Sequence, residues 1–311
     1  MKLAGSSGVL ALLTAAATAS GAAQKPPVFR ADVENVYVDA FVTRGGQPLA
    51  GLTAADFELR DNGVRQRPEL AAAASLPLLA VLVFDTSSSM AGERLQALRA
   101  SGEAFLAGLR PADEAALVTF SHKLSWLAGP TSDKDSVRRT LAQLRAAGAT
   151  AAYDALYAGI AMSDKGVRPL VVLFSDGEDN VSFLGARQVR AVAERSNALV
   201  HVVAWRSESR SAWPPIGVRG MPPLIETSTP EPEDIRLLRQ IAEATGGRLW
   251  GADSPARLRE AFAAIADAMG QRYVLSYSPS GVKREGWHQL EVKLRGQKGD
   301  VHARRGYWVA Q

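Results

Sequence analysis

Short apolar runs alternate with amphipathic segments through most of the chain. The apolar runs predict strands, and the segments between them repeat apolar residues every three or four positions, as on one face of a helix. The predicted strands cover residues 78–84, 115–120, 124–127, 170–174, 199–204 and 248–250. The predicted helices cover residues 93–109, 135–144, 151–163, 186–196, 232–244 and 255–269. This alternation predicts an α/β fold with a doubly wound, mostly parallel sheet over residues 76–270.

A β pattern replaces the helical one in the two flanking segments. In residues 24–75, polar and apolar positions alternate, and Gly45-Gly46 and Asn62-Gly63 are typical of hairpin turns. Residues 271–311 predict three further strands. Because each flank is short for an independent core, we expect the two to pack together as one small antiparallel β domain, with the α/β domain inserted between them.

Two other segments lack either pattern. Residues 206–233 are rich in Ser, Pro and Gly without periodicity, which predicts a long loop inserted in the α/β domain. Residues 1–23 combine Lys2, an apolar stretch and small residues before Ala23, as in a secretory signal peptide. An uncleaved N-terminal anchor is the alternative. We therefore expect a secreted or periplasmic protein, with no membrane span in the mature chain because no second long apolar run follows.

The net charge and the absence of Cys limit the kinds of partner and metal site that this chain is expected to have. Apolar residues make up 47% of the 311 residues, which is ample for a packed core. The net charge of +4 is too small to argue for nucleic acid or an anionic membrane. Basic residues in the C-terminal hairpins are better interpreted as protection of edge strands. The chain contains no Cys, which excludes disulfides and thiolate metal sites.

Carboxylates and hydroxyls follow two of the predicted strands. Asp85 ends the strand in "PLLAVLVFDTSSSM", and Ser87 and Ser89 follow in the loop before a helix. Asp176 follows the strand in "PLVVLFSDGEDN", and Thr150 in "AAGATAAYDAL" opens another helix. If these strands flank the point where the strand order reverses, their loops meet over one crevice. Two carboxylates and three hydroxyls make an all-oxygen site that suits Mg²⁺ or Mn²⁺.

These motifs resemble the metal-ion-dependent adhesion site of von Willebrand factor type A domains. "DTSSS" matches the Asp-x-Ser-x-Ser motif, "GAT" matches the threonine loop, and "FSDGEDN" matches the aspartate loop. The resemblance implies that Ser87 and Ser89 bind the ion directly, and that Thr150, Asp85 and Asp176 bind it directly or through water. The arrangement of the whole chain is also similar to a group of exported bacterial proteins related to type A domains.

Each of these residues also has a structural interpretation. Asp and Ser after a strand often cap the next helix, because they accept hydrogen bonds from its free N–H groups. Asp154, in the first turn of its helix, is better explained as a cap than as a ligand. Glu178 and Asp179 are expected in a solvated loop or as caps. The four His residues are scattered along the chain, and structural roles are expected for them.

Three functions remain open from the sequence. The first is an exported binding module in which an acidic side chain of a protein partner completes the coordination of Mg²⁺. The second is a metal-assisted phosphohydrolase, although the acid that such enzymes need two residues after Asp85 is replaced by Ser87. The third is a scaffold whose metal site is structural or vestigial. The absence of a recognisable catalytic base favours the first function, which is not enzymatic.

Overall fold

A computed structural model describes residues 35–45, 47–72, 76–163, 168–176, 179–205 and 232–309. The predicted signal peptide, and all but two residues of the predicted 206–233 loop, lie outside the described residues.

The strands and helices are numbered in chain order. The strands are β1 (Val36–Arg44), β2 (Gln47–Pro48), β3 (Phe57–Asp61), β4 (Val64–Gln66), β5 (Glu69–Ala71), β6 (Leu78–Asp85), β7 (Glu114–Phe120), β8 (Leu124–Thr131), β9 (Arg168–Ser175), β10 (Leu199–Trp205), β11 (Leu249–Ala252), β12 (Tyr273–Tyr277), β13 (Gly286–Leu294), β14 (Asp300–Ala303) and β15 (Gly306–Val309). The helices are α1 (Glu93–Gly108), α2 (Lys134–Ala142), α3 (Ala152–Ser163), α4 (Ala186–Arg195), α5 (Glu233–Ala244) and α6 (Pro255–Gly270).

Strands β6 to β11 form one sheet in the order β11-β10-β9-β6-β7-β8. The pairs β10–β11, β9–β10, β6–β9 and β6–β7 are parallel, and β8 is antiparallel to β7. The strand order therefore reverses between β6 and β9, which are neighbours in the sheet although far apart in the chain. The mixed sheet and its helices confirm the predicted α/β class.

The central strands are buried because helices cover both faces of this sheet. Every residue of β6 is buried, and its side chains alternate between two apolar clusters. Leu82 and Phe84 pack in the cluster that contains residues of α1, α2 and α6. Val81 and Val83 pack in the cluster that contains residues of α3, α4 and α5. This two-sided burial explains why β6 reads as a continuous apolar run in the sequence.

The remaining strands form two antiparallel sheets built from both ends of the described chain. One has the order β14-β1-β12-β5, with β2 paired to β1, and the other has the order β15-β13-β3-β4. Their facing side chains share one apolar cluster that includes Val38, Phe57 and Leu275. The hairpin β3–β4 turns at Asn62 and Gly63, both with positive φ (47° and 80°), as expected for its two-residue turn.

The chain after residue 270 contains four strands in the described part, not the three expected from the sequence. The alternation of apolar and polar residues in "DVHARRGYW" predicts one strand. In the structure, Arg304 and Arg305 are not part of a strand and divide this segment in two. Strand β14 then pairs with β1, whereas β15 pairs with β13 in the other sheet. One predicted strand is therefore two, because its halves serve different sheets.

Among the helices of the described residues, none has the length and apolar character needed to cross a membrane.

Candidate metal centre

Asp85 is the last residue of β6, and the other predicted site residues lie on three loops next to the carboxyl ends of β6 and β9. The first loop (residues 86–92) joins β6 to α1, the second loop (residues 143–151) joins α2 to α3, and the third loop (residues 176–185) joins β9 to α4. Parallel strands deliver their carboxyl ends to the same edge of a sheet, and β6 and β9 pair directly. The first and third loops therefore begin side by side where the strand order reverses.

Asp85 is the buried carboxylate at the centre of this edge. Its side chain is fully buried. The backbone N–H of Ser87 donates to Oδ1 at 2.8 Å, and the hydroxyl of Ser175 donates to Oδ2 at 2.7 Å. The pKa of the Asp85 carboxyl is raised to about 6. Burial is the largest cause and the charge of Asp176 adds to it, whereas the hydrogen bonds from Ser87 and Ser175 act to lower the pKa. Asp85 is thus held in place but carries a charge that its surroundings stabilise poorly.

Ser87, Ser89 and Asp176 present oxygen atoms next to Asp85. The hydroxyl oxygens of Ser87 and Ser89 lie 3.0 Å apart, and Ser87 is buried while Ser89 is exposed. Oδ1 of Asp176 is buried and has no hydrogen-bond partner among the described residues. Burying a carboxylate oxygen without a donor costs free energy. A cation or an N–H or O–H donor at this atom would offset that cost.

Thr150 is buried, and its backbone is hydrogen-bonded to the third loop. Its N–H donates to the side-chain oxygen of Asn180 at 2.9 Å, and its carbonyl accepts the N–H of Asn180 at 3.0 Å. Two residues earlier, Gly148 exchanges hydrogen bonds with Ser88, from Gly148 N to Ser88 Oγ and from Ser88 N to Gly148 O, both at 2.9 Å. The second loop is therefore bound to both the first and the third loop.

The other acidic residues of the third loop and of α3 have structural partners. Asp179 accepts hydrogen bonds from the Tyr153 N–H at 3.0 Å and the Ser182 hydroxyl at 2.6 Å, as a cap of α3 does. Asp154 accepts the N–H groups of residues 183 and 184, both at 2.9 Å. Glu178 lies outside the described residues. These contacts support the structural interpretation for Asp154 and Asp179.

Two residues that support the site were missed by the sequence reasoning. Ser175 is the last residue of β9, and the β6–β9 register could have placed it opposite Asp85. Asp234, on α5, accepts the Tyr153 hydroxyl at 2.7 Å and the Asp179 N–H at 3.3 Å. No local pattern identifies Asp234, because its partners are far away in the chain.

Neither carboxylate at this edge has an ion-pair partner among the described residues. Within the described ranges, no Lys, Arg or His forms a salt bridge with Asp85 or Asp176. No three His, Cys, Asp or Glu side chains of the described residues cluster as metal ligands do, so an ion at this edge would need hydroxyl as well as carboxylate ligands. A cleft of about 500 Å³ lined in part by Arg65, Arg67 and Arg295 contains none of the predicted site residues.

Gly148 is a residue through which the second loop contacts the first, because it is hydrogen-bonded to Ser88. It has a φ of +89°, and a Cβ there would lie 2.0 Å from Nδ1 of His122. We expect Gly148→Ala to lower the free energy of unfolding by about 1–2 kcal/mol, because alanine is strained at positive φ. We also expect a weaker affinity for Mn²⁺, because the two hydrogen bonds to Ser88 would shift. Urea unfolding and Mn²⁺ titration check both effects.

The matched control for this change is Gly129→Ala. Gly129 has no positive φ, and a Cβ there has no atom within 4 Å. The double variant His122→Ala/Gly148→Ala removes the close contact but not the backbone strain. If this double variant recovers full stability, the contact with His122 and not the backbone conformation is the cause.

Comparison with known proteins supports the type A resemblance for the central part of the chain. Residues 80–178 match the family model of the von Willebrand factor type A domain. A UPF0353 protein of Mycolicibacterium gilvum (strain PYR-GCK) is 24% identical over 236 residues, which cover 70% of this chain and 68% of that protein. The predicted resemblance is confirmed at the level of this domain.

A solved type A structure has the same fold, and a second solved structure is similar to part of the chain. The structure of a von Willebrand factor type A protein from Catenulispora acidiphila matches 83% of this chain and 75% of its own, with a TM-score of 0.51 and 14% identity. BatB from Bacteroides thetaiotaomicron, described as a conserved hypothetical protein, matches 62% of this chain and 99% of its own, with a TM-score of 0.47 and 19% identity. At such identities the likeness concerns the fold alone.

Proposed function

We propose that this chain is a binding module that holds Mg²⁺ or Mn²⁺ and captures a protein partner through an acidic side chain of that partner. The ion would be bound by Ser87 and Ser89, with Asp85, Thr150 and Asp176 in direct or water-mediated contact. In a doubly wound sheet, the crevice where the strand order reverses is the general position for ligands. The bound ion would supply an electrophilic centre for the partner's carboxylate.

One observation carries this proposal. Oδ1 of Asp176 is buried without a hydrogen-bond partner among the described residues, and the charge of this carboxylate raises the pKa of the buried Asp85. Hard divalent cations prefer such oxygen atoms, and the donor set fits the ion because every predicted ligand is a carboxylate or a hydroxyl. The hydroxyls are neutral, and a carboxylate that contacts the ion through water neutralises its charge only in part. The ion would therefore keep affinity for a further anionic ligand.

The third loop presents apolar side chains that suit a protein partner. Phe183 is 98% exposed, although Asp154 fixes its backbone N–H at 2.9 Å. Val181 is 43% exposed, and its N–H donates to the carbonyl of Thr150 at 3.3 Å. A fixed backbone that exposes large apolar groups loses little entropy on binding, and aromatic side chains are frequent anchors in interfaces. These residues would form the rim of the partner site.

We also infer that the chain is exported. This rests on residues 1–23, whose pattern is typical of a signal peptide. The binding face would then act in the periplasm or outside the cell.

Water proton relaxation of the Mn²⁺-loaded protein tests the proposed function. Mn²⁺ with exchangeable water ligands enhances the relaxation rate. We expect acetate, the simplest analogue of an acidic side chain, to displace this water and reduce the enhancement, whereas acetamide at the same concentration should not. If Mn²⁺ binds and acetate changes nothing, the site is structural. If Mn²⁺ does not bind, the metal-dependent proposal is wrong.

A further inference from the structure

A second cluster of charged groups lies away from the candidate metal centre. Arg168 is the first residue of β9, so it stands at the opposite end of that strand from Asp176. Around it are two further arginines and two histidines from other elements. We call this set the seam cluster, because it lies where the six-stranded sheet meets β1 and β14: Arg168, His201, Arg248, Arg272 and His302.

Contacts with β1 define the position of the cluster. Nη2 of Arg168 donates to Oδ1 of Asp39 at 2.9 Å. Nη2 of Arg272 donates to the carbonyl of Asp39 at 3.0 Å, and its Nε is 3.7 Å from Oδ1 of the same residue. The guanidinium of Arg248 lies over the ring of Phe41, 5.2 Å from its centroid. Three arginines from the α/β side thus converge on one short segment of β1.

The cluster carries more positive charge than the described residues neutralise. Asp39 is the acid of the described chain that forms salt bridges with Arg168 and Arg272, and no acid among these residues pairs with Arg248. Arg168 and Arg272 are only 4% and 5% exposed. Burial lowers the pKa of Arg272 to about 10, Asp39 opposes this, and the charges of Arg168 and Arg248 add to it. Buried cations in excess over anions are costly to hold without a further partner.

The two histidines of the seam cluster lie near the positive charges of Arg248 and Arg272 and are themselves neutral. Burial lowers the pKa of His201 to about 3, and the charges of Arg272 and Arg248 lower it further. Burial likewise lowers the pKa of His302 to about 4, with Arg248 and Arg272 contributing and Asp300 opposing. Neither ring therefore adds a positive charge at neutral pH, and neither provides a negative one.

Several N–H donors of the cluster have no acceptor. Nδ1 of His201 accepts hydrogen bonds from the Arg248 N–H at 3.2 Å and from Nε1 of Trp250 at 3.1 Å. The proton of the neutral ring is therefore on Nε2. In the described part of the chain, this Nε2 is buried without a hydrogen-bond partner, as are Nε of Arg168 and Nη2 of Arg248, whereas Nε of Arg272 has only the long ion pair with Asp39.

We propose that the seam cluster binds a small inorganic anion between the six-stranded sheet and the sheet that contains β1. Chloride and phosphate are the two common anions of this kind. Such an anion accepts the unpartnered Arg and His N–H groups and neutralises the excess charge. It joins elements from both parts of the fold, so its binding stabilises the contact between them. This site is independent of the candidate metal centre.

Thermal unfolding at constant ionic strength is the first test. The protein is dialysed into sodium gluconate, whose anion is bulky, and chloride or phosphate then replaces gluconate stepwise. We expect a saturable rise in Tm of about 5 °C with one of the two anions at concentrations far above its Kd. Broadening of the ³⁵Cl NMR line reports bound chloride directly, and calorimetric titration reports bound phosphate. The ion that produces the signal is the ligand.

Arg248→Met is the variant that tests the position of the site. It removes the arginine with no acid partner in the described residues and leaves both arginine contacts with Asp39 intact. We expect a fold at least as stable as the wild type in gluconate, together with loss of the anion response. Arg187→Met, on the exposed face of α4, makes the same change of charge and should keep the response.

Two results would overturn the proposal. One is a wild-type Tm that follows ionic strength alone, with neither ³⁵Cl broadening nor heat from phosphate, which would mean that another part of the chain satisfies the donors. The other is an anion response of Arg248→Met equal to that of the wild type. The wild-type measurements decide the first point even if the variant does not fold.

Discussion

The Ser87→Ala/Asp176→Ala variant should bind Mg²⁺ and Mn²⁺ more than about 100-fold more weakly than the wild type. It removes a hydroxyl and the carboxylate whose Oδ1 is buried without a hydrogen-bond partner in the described part of the chain. Changes even in groups that only orient metal ligands cost about 10–100-fold in affinity, so loss of two ligands should cost at least as much. Calorimetric titration of the metal-stripped proteins measures the effect.

The same variant should also lose its stabilisation by metal. A ligand at about 100 times its Kd adds about 2.7 kcal/mol to the stability of a protein that binds it only when folded. Addition of Mg²⁺ should therefore raise the Tm of the wild type and leave that of the variant unchanged. The Tm without metal is compared separately, because the two changes oppose each other: Asp176→Ala removes a charge that raises the pKa of Asp85, whereas Ser87→Ala removes a side-chain hydrogen bond that lowers it.

The matched control is Ser132→Ala/Asp135→Ala. These residues are exposed and lie at the start of α2, so the control makes the same chemical changes away from the site. We expect its affinity for Mg²⁺ to equal that of the wild type. Equal binding by all three proteins, or binding by none, would mean that the proposed metal site is wrong.

Asp61→Ala should lower the free energy of unfolding by about 3 kcal/mol or more, because each of three buried donors left without an acceptor costs about 1–3 kcal/mol. Asp61 is fully buried at the end of β3. It accepts hydrogen bonds from Nδ1 of His288 at 2.8 Å, from the Tyr277 hydroxyl at 2.9 Å and from the Tyr307 hydroxyl at 2.8 Å. Alanine would leave all three donors buried without an acceptor.

Urea unfolding measures this loss, and two further variants identify its cause. Asp61→Asn keeps an acceptor oxygen and almost the same volume, so it should cost clearly less than alanine. Glu291→Ala removes an exposed acid of β13, whose ion pair with Lys293 lies at the surface, and should change stability by less than about 0.5 kcal/mol. A cost for Asp61→Ala no larger than that for Glu291→Ala would mean that the buried network contributes little.

The candidate ligands were predictable because local sequence carries their signal. Asp85 and Asp176 each follow a continuous apolar run, and such runs mark strands buried on both faces. The spacing of Ser87 and Ser89 places them in the loop after the first run. What the sequence leaves open is whether the two strands are neighbours. The pairing of β6 with β9, with 82 residues between Asp85 and Arg168, comes from the packing of helices on both faces.

The groups that support the site were not predictable in the same way. Ser175 acts on Asp85 only because the register of β6 and β9 brings them together. Asp234 contacts Tyr153 and Asp179 from a helix that follows a long segment outside the described residues. The seam cluster is likewise assembled from five separate segments of the chain. Single arginines and histidines have no periodic pattern, so their burial cannot be read locally.

The sequence by itself determined the α/β class, the position of most helices and strands, and the oxygen-rich loops that carry the candidate ligands. These properties depend on hydrophobic periodicity and turn residues within short windows, where local interactions dominate. The tertiary structure alone decided the strand order, the division of "DVHARRGYW" between two sheets, and the meeting of Arg168, Arg248 and Arg272 at β1. Those outcomes depend on contacts between distant segments, which form only when the whole core is packed.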